Sequence, residues 1–471
     1  MTKMAERLFP RPASTLLDVA TKKLELSGYY SEIAPSLGGK LLAFQESVID
    51  GRTDHWLEYV PDSYKAENAV PLVISVHGGG QSDYGQFYET SWYRIAERTG
   101  AIIAFPQMPQ NGMSVFTAGS TPSEDMLFID KLIELMKSKY TIDTGRIFIQ
   151  GMSMGDLIST QYGRLFGHKL AGIGMTSGPT APSKLYDGNK LMYNDGPVAV
   201  WQSRGTFDTI VTEPGHQRAD INSANRRFWM EINGCTKPPR LKLAYNENWA
   251  YYIGEKAPLV YRDYSNQGHN QSSDDAECAW DSLFSRIRRD ESGKITLLED
   301  LPEGDRNAVV LLDGSGFAYV DNVKVPVEKP VFIERDYAMP SIPRPGSEGT
   351  RPEPEPERVV METYTYIPVS FLETAFGAKV QSDGLTAFVT AADGRQLCFA
   401  ENNLGIMMEG RVYDMGREAK TVDGILFVPV EWYAQWVEEK CVNKKDDVVY
   451  IGPRPGTLTN DMVNIIKEIL G

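Results

Sequence analysis

The sequence predicts an α/β protein: a mostly parallel sheet with helices on both faces, followed by a smaller β-rich α+β module. Three observations carry this. Between residues 26 and 290, short Val/Ile-rich segments alternate with stretches of helical periodicity. After Arg289 the texture changes to short β-rich runs with few helical stripes. Within the first part, Gly151-Met152-Ser153-Met154-Gly155 sets a serine between a strand-like segment at 146–150 and a helical one at 156–162.

The first part reads in order as follows. Residues 41–48 and 55–60 are expected to open the sheet as an antiparallel pair, and 71–77 is a buried strand. Residues 89–98 are amphipathic and read as a helix, with a strand at 101–105. Met126, Ile129, Leu132, Ile133 and Met136 recur at helical spacing, which predicts a helix over 125–139. Further strands are expected at 170–175, 198–202 and 259–264, and further helices at 218–233 and 275–289. Such alternation needs a sheet covered on both faces, because each helix buries one apolar stripe against it.

The chain divides into an N-terminal extension (1–25), a main domain (26–292), an accessory domain (293–455) and a C-terminal helix (456–471). Residues 340–357 are rich in Pro and Glu and read as a solvated, extended loop. Around that loop is an internal repeat. Tyr366-Ile367-Pro368-Val369-Ser370-Phe371-Leu372 is answered by Phe427-Val428-Pro429-Val430-Glu431-Trp432-Tyr433. Each is followed by a helical turn and then a strand (386–390, 448–451), and each is preceded by a hairpin-like stretch (319–334, 410–422). An amphipathic helix is expected over 458–470.

Bulk properties bound the function. The net charge of −15 argues against a nucleic-acid partner. No apolar run is long enough for a membrane span. The N-terminal residues lack the apolar stretch of a signal peptide, so the expectation is a cytoplasmic chain or one that begins after a removed signal. Cys235, Cys278, Cys398 and Cys441 show no zinc-site spacing; a disulfide within each half and four free thiols both remain open.

A serine on a sharp strand-to-helix turn is placed for nucleophilic attack, and flanking glycines let that turn close. Acyl transfer also needs a base, a group that orients it, and donors for the oxyanion. There are five histidines: His55, His77, His168, His216 and His269. His269 follows a strand and precedes a helix, which makes it the candidate base. Asp208 follows a strand and a Gly turn, which makes it the candidate acid; Asp220 and Asp263 compete but fall inside a helix and a strand. His77-Gly78-Gly79-Gly80 follows the third strand. Gly79 or Gly80 would supply one oxyanion donor and the N–H of Met154 the other, while His77 reads as structural. The order nucleophile, acid, histidine is that of the α/β-hydrolase fold.

At these residues the chain resembles the esterases grouped with polyhydroxybutyrate depolymerases and feruloyl or acetyl-xylan esterases. The likeness covers about 40–290. It rests on Val76-His-Gly-Gly-Gly80, the helix start at Ser123-Glu-Asp125, the run from Asp143 to Gly155, Arg204-Gly-Thr-Phe-Asp208, the run from Phe228 to Cys235, and Gly268-His269. Two departures stand out: Asp156 where that group usually has a second Gly, and a loop after His269 without the common aromatic-Pro pair. Residues 305–455 resemble the stalk-type domain named after the N-terminal domain of copper amine oxidases, through the two repeat elements. No histidine follows His269, so copper is not implied.

The resemblance implies a serine carboxylesterase that works without a cofactor on a feruloyl, acetyl or short hydroxyalkanoate ester, as a small molecule or linked to a polysaccharide. It also leans to a secreted or cell-surface bacterial protein. The alternatives are a peptidase or acyl transferase on the same fold, or a binding protein with a vestigial hydrolase domain. The accessory domain is expected to serve cell-wall or carbohydrate binding, or self-association. Its Trp432 and Trp436 suit sugar stacking or a core role. Tyr84, Phe87 and Trp92 suit an aromatic acyl group or, equally, a core. No substrate-binding residue is diagnostic.

Overall fold

A computed structural model describes residues 38–108, 121–337 and 360–471. The expected extension at 1–25 and the Pro/Glu-rich loop at 340–357 lie outside the described residues. The chain forms two compact units, one running to Arg240 and including Trp249–Glu303, the other Leu241–Asn248 with Gly304–Gly471.

The main sheet has ten strands. We number them β1 (Lys40–Glu46), β2 (Asp54–Val60), β3 (Val70–Val76), β4 (Ile102–Gln107), β5 (Ile142–Met152), β6 (Gly172–Thr176), β7 (Ala199–Gly205), β8 (Arg240–Ala244), β9 (Glu247–Tyr252) and β10 (Leu259–Tyr264). Their order is β1-β2-β4-β3-β5-β6-β7-β10-β9-β8. β1, β2 and β4 pair antiparallel, as expected for the start. From β4 through β3, β5, β6 and β7 to β10 all pairings are parallel. This is the α/β-hydrolase sheet the sequence predicts. Its central strands read as continuous apolar runs because helices cover both faces, so neither face can be polar.

The helices are α1 (Asp83–Thr90), α2 (Trp92–Thr99), α3 (Glu124–Lys139), α4 (Met154–Phe166), α5 (Arg218–Asn233) and α6 (Asp275–Ser282). Three local signals set α3: Ser123 caps the N-terminus by accepting from Met126 N–H, acidic residues fill the first turn, and lysines fill the last.

Two expectations are corrected. The helix over 89–98 is two helices, broken where Ser91 takes φ 54°. The helix over 275–289 ends at Ser282, and Ile287–Arg289 is instead a strand paired with Ile295–Leu297. There the Arg289 guanidinium bonds the carbonyls of Gly167, Leu170 and Pro197, and those contacts override the helical periodicity.

Tyr84, Phe87 and Trp92 are buried in one core cluster with Phe105, Phe148 and Phe284, so they are core residues and not an open aromatic pocket. All four cysteines are free thiols.

In the second unit the repeat has a structural basis. The strands Val360–Pro368 and Ile425–Pro429 pair antiparallel, with Tyr366 opposite Pro429, Ile367 opposite Val428 and Pro368 opposite Phe427. The equivalent residues Ile367 and Val428 face each other. A two-fold relation between the repeats requires this of an antiparallel pair. Trp432 is buried in that unit's core beside Tyr413, whereas Trp436 is 65% exposed. The C-terminal helix, Asn460–Leu470, is capped by Thr459.

Candidate active site

Strand order locates the site. The chain goes from β3 to β4 on one side and then crosses back, so that β5 lies on the other side of β3. Loops leaving the carboxyl ends of β3 and β5 therefore part, and ligands bind α/β sheets at such a crevice. The β3 loop carries His77–Gly80, and β5 leads directly into Ser153.

Ser153 has φ 56° and ψ −114°, a conformation that side chains rarely adopt and that costs on the order of 1–3 kcal/mol. The surrounding structure imposes it. Ser153 N–H donates to the Thr176 carbonyl at 2.8 Å. α4 starts at once, with Gly155 so close to β3 that a Cβ would stand 2.2 Å from the Val76 oxygen. The Ser153 side chain makes no capping bond, which leaves its Oγ for other work.

That Oγ lies 2.8 Å from Nε2 of His269, and Nδ1 of His269 lies 3.0 Å from Oδ2 of Asp208. The second contact sets the tautomer: a carboxylate only accepts, so Nδ1 carries the proton and Nε2 can accept from Ser153. The His269 loop is tied down by neighbours. Ser177 Oγ donates to Asn270 O at 2.8 Å, Gln271 bonds Gln86 and Gln150, and Phe207 N–H donates to Gln267 O.

Asp208 is fully buried at its side chain, while that of His269 is 29% exposed. Burial alone would raise the Asp208 carboxyl. Hydrogen bonds from His269 and the Ile210 N–H, with the nearby Arg218 charge, outweigh burial and hold it below its ordinary value. The competitors are placed elsewhere. Asp220 sits in the first turn of α5 and accepts from Gln217 N–H, and Asp263 is buried in β10.

The Gly-rich loop reaches the Ser153 turn. A Cβ on Gly79 would stand 2.6 Å from the Met154 sulfur, and one on Gly78 would stand 3.3 Å from the Ser153 Cβ. Gly80 has φ 73°. The loop is braced from both ends. His77 is buried, donates from Nδ1 to Gly78 O at 2.7 Å and accepts at Nε2 from Met108 N–H at 2.9 Å, the structural role expected of it. Gly78 N–H donates to Gln81 Oε1 at 2.9 Å, and Gln81 Nε2 donates to Glu89 at 3.2 Å. The Met154 N–H belongs to the first turn of α4, whose donors have no partner within the helix and where the helix dipole favours negative charge.

Sequence reading noted Asp156 only as a departure and Arg204 only within a motif, and gave neither a role. Asp156 and Arg204 are both fully buried and form an ion pair at 2.9 Å. Nor did it find Gln81 and Glu89, which contact each other locally, or Gln271, whose partners Gln86 and Gln150 lie more than a hundred residues away in sequence. The remaining histidines are apart from the site: His55 is in β2, and His168 is 60% exposed and paired with Asp195. His216 lines a cavity of 630 Å³ together with Tyr186, Glu213, Asp220, Arg227 and Glu231. Among the described residues no group of three or more His, Cys, Asp or Glu could hold a metal ion. No helix among them is long and apolar enough to cross a membrane.

Comparison with known proteins finds both resemblances drawn from the sequence. Residues 347–451 match the family model described as the copper amine oxidase N-terminal domain. A bifunctional acetylxylan esterase/xylanase of Neocallimastix patriciarum is 27% identical over 219 residues, 45% of this chain and 30% of that protein. Feruloyl esterase B of Piromyces equi is 26% identical over 238 residues, 47% of this chain and 43% of that protein. The chain thus spans less than half the length of these curated relatives. Among solved structures, an acetyl xylan esterase from Aspergillus awamori aligns with TM-score 0.42 and 16% identity, covering 52% of this chain and 99% of that one.

Proposed function

We propose that the chain is a serine carboxylesterase that works through an acyl-enzyme. The observation that carries this reading is the line of contacts from Ser153 Oγ to His269 Nε2 at 2.8 Å and from His269 Nδ1 to Asp208 at 3.0 Å. Ser153 attacks the ester carbonyl as His269 takes its proton. Asp208 accepts the Nδ1–H and stabilises the imidazolium. The oxyanion rests on the N–H of Met154 and of Gly79 or Gly80. As the tetrahedral species collapses, His269 protonates the leaving alcohol; water, activated by the same ring, then releases the acid.

The substrate class proposed is a feruloyl, acetyl or short hydroxyalkanoate ester. Support comes from the two fungal relatives, named for acetylxylan and feruloyl esters, and from a poly(3-hydroxybutyrate) depolymerase of Ralstonia pickettii that is 26% identical over 139 residues. The accessory domain, proposed for 293–455, would hold the enzyme on a cell wall, a carbohydrate or a second copy.

The test is hydrolysis of p-nitrophenyl acetate, butyrate and ferulate by the wild type and by Ser153→Ala. Loss of all turnover in a folded Ser153→Ala is expected; turnover kept by that variant would end the reading.

A further inference from the structure

We propose that the buried Asp156–Arg204 pair is a positioning device that sets Ser153 against the Asp208–His269 couple. This rests on the esterase reading above. Asp156 lies three residues beyond Ser153 in the first turn of α4, and Arg204 lies four residues before Asp208 at the end of β7.

Their contacts converge on the nucleophile turn. Asp156 Oδ2 accepts from Arg204 and from the Gly178 N–H, each at 2.9 Å, and Oδ1 accepts from Thr160 at 3.2 Å. Gly178 in turn packs on the Ser153 carbonyl. The Arg204 guanidinium also donates to Met175 O and Ser203 O at 2.8 Å and to Asn222 Oδ1 at 3.2 Å. One carboxylate and one guanidinium thus join the ends of β6 and β7 to the first turn of α4. Ser153 precedes that joint by three residues on one segment, and Asp208 follows it by four on the other.

Stability alone is a poor explanation for it. Taking two charges fully out of water costs about as much as their attraction returns, and apolar replacements of buried pairs are often neutral. A fixed geometry is what the pair supplies that an apolar contact cannot.

The experiment compares the wild type with Asp156→Asn, Arg204→Lys and the neutral double variant D156N/R204M. Melting temperature, kcat and KM on p-nitrophenyl acetate, and the rate of labelling by a fluorophosphonate are measured for each. In Asp156→Asn the buried Arg204 charge is unpaired, so the melting temperature falls. In the double variant that charge is gone and the melting temperature recovers. The expected result is that kcat and labelling rate in the double variant stay at least about tenfold low with KM within about twofold, because a shift on the order of 1 Å in a reacting group is expensive. Arg204→Lys keeps the charge but not the fork, and a loss of kcat at unchanged KM is expected there too.

Wild-type kcat in the folded double variant, or in Arg204→Lys if the double does not fold, overturns the proposal. Failure of the wild type itself to label would instead overturn the esterase reading.

Discussion

Gly178 presses on Ser153: a Cβ there would stand 2.0 Å from the Ser153 carbonyl oxygen. The opposing atom is backbone of the turn itself, so it has nowhere to retreat. Gly178→Ala should lower stability by about 1–3 kcal/mol through overpacking. It should also lower kcat on p-nitrophenyl acetate. Denaturant unfolding and steady-state kinetics check both.

A comparison of two other glycines separates loop contact from backbone contact. A Cβ on Gly79 meets the flexible end of Met154, at 2.6 Å, whereas one on Gly155 meets the Val76 carbonyl, at 2.2 Å. Gly79→Ala keeps its N–H and should stay within about tenfold of wild-type kcat/KM, as the Met154 side chain swings aside. Gly155→Ala should lose soluble expression or at least about a hundredfold in activity, because β3 cannot move aside. Parallel purification and assay of the two variants decides.

Asp208→Asn keeps the shape and removes the acceptor that holds the His269 tautomer. A fall in kcat on the order of ten-thousandfold is expected, with the fold retained by circular dichroism. An effect below about tenfold would show that another group orients the ring.

The pH dependence follows from the same carboxyl. Its value in the folded chain is below the ordinary 3.8, so the unfolded chain binds this proton more readily. Its stabilising contribution is therefore present above 3.8 and is lost as pH falls through the folded value. Asp208→Asn should flatten the acid limb of a stability-versus-pH curve below the ordinary carboxyl range. Acid unfolding of the two proteins, followed by circular dichroism, measures this.

In the second unit the two repeat tryptophans should behave oppositely. Trp432→Ala empties a core position and should cost about 3–5 kcal/mol. Trp436 is 65% exposed, so Trp436→Ala should change stability by no more than about 0.5 kcal/mol. Urea denaturation distinguishes them, and a xylan pull-down with Trp436→Ala tests whether that exposed ring meets carbohydrate.

Much of the fold was legible because it depends on local periodicity. The strand at 259–264 and the helix at 218–233 are found at their expected residues, although Arg262 and Asp263 interrupt the apolar run of the strand. Expectations failed where a long-range contact outweighed the local pattern. Arg289 is drawn onto the carbonyls of Gly167, Leu170 and Pro197, more than ninety residues away in sequence, and the segment becomes a strand. At Ser91 the break is one residue with positive φ, which no composition signal marks.

The candidate site divides in the same way. Ser153, Asp208, His269 and the Gly78–Gly80 loop could be named from sequence because each follows a strand, and a parallel sheet sends all its strand ends to one edge. Chain order and turn glycines determine that much. The distances among these groups were decided only by the tertiary structure, and so were the groups that hold them. Asp156 and Arg204 are 48 residues apart in sequence and become partners only when the first turn of α4 meets the end of β7. Gln271 gains its role in the same way, through Gln86 and Gln150. A residue's place on a strand or turn is encoded by its neighbours in the chain. Its charge partner and its burial are set by packing between segments, which no local pattern records.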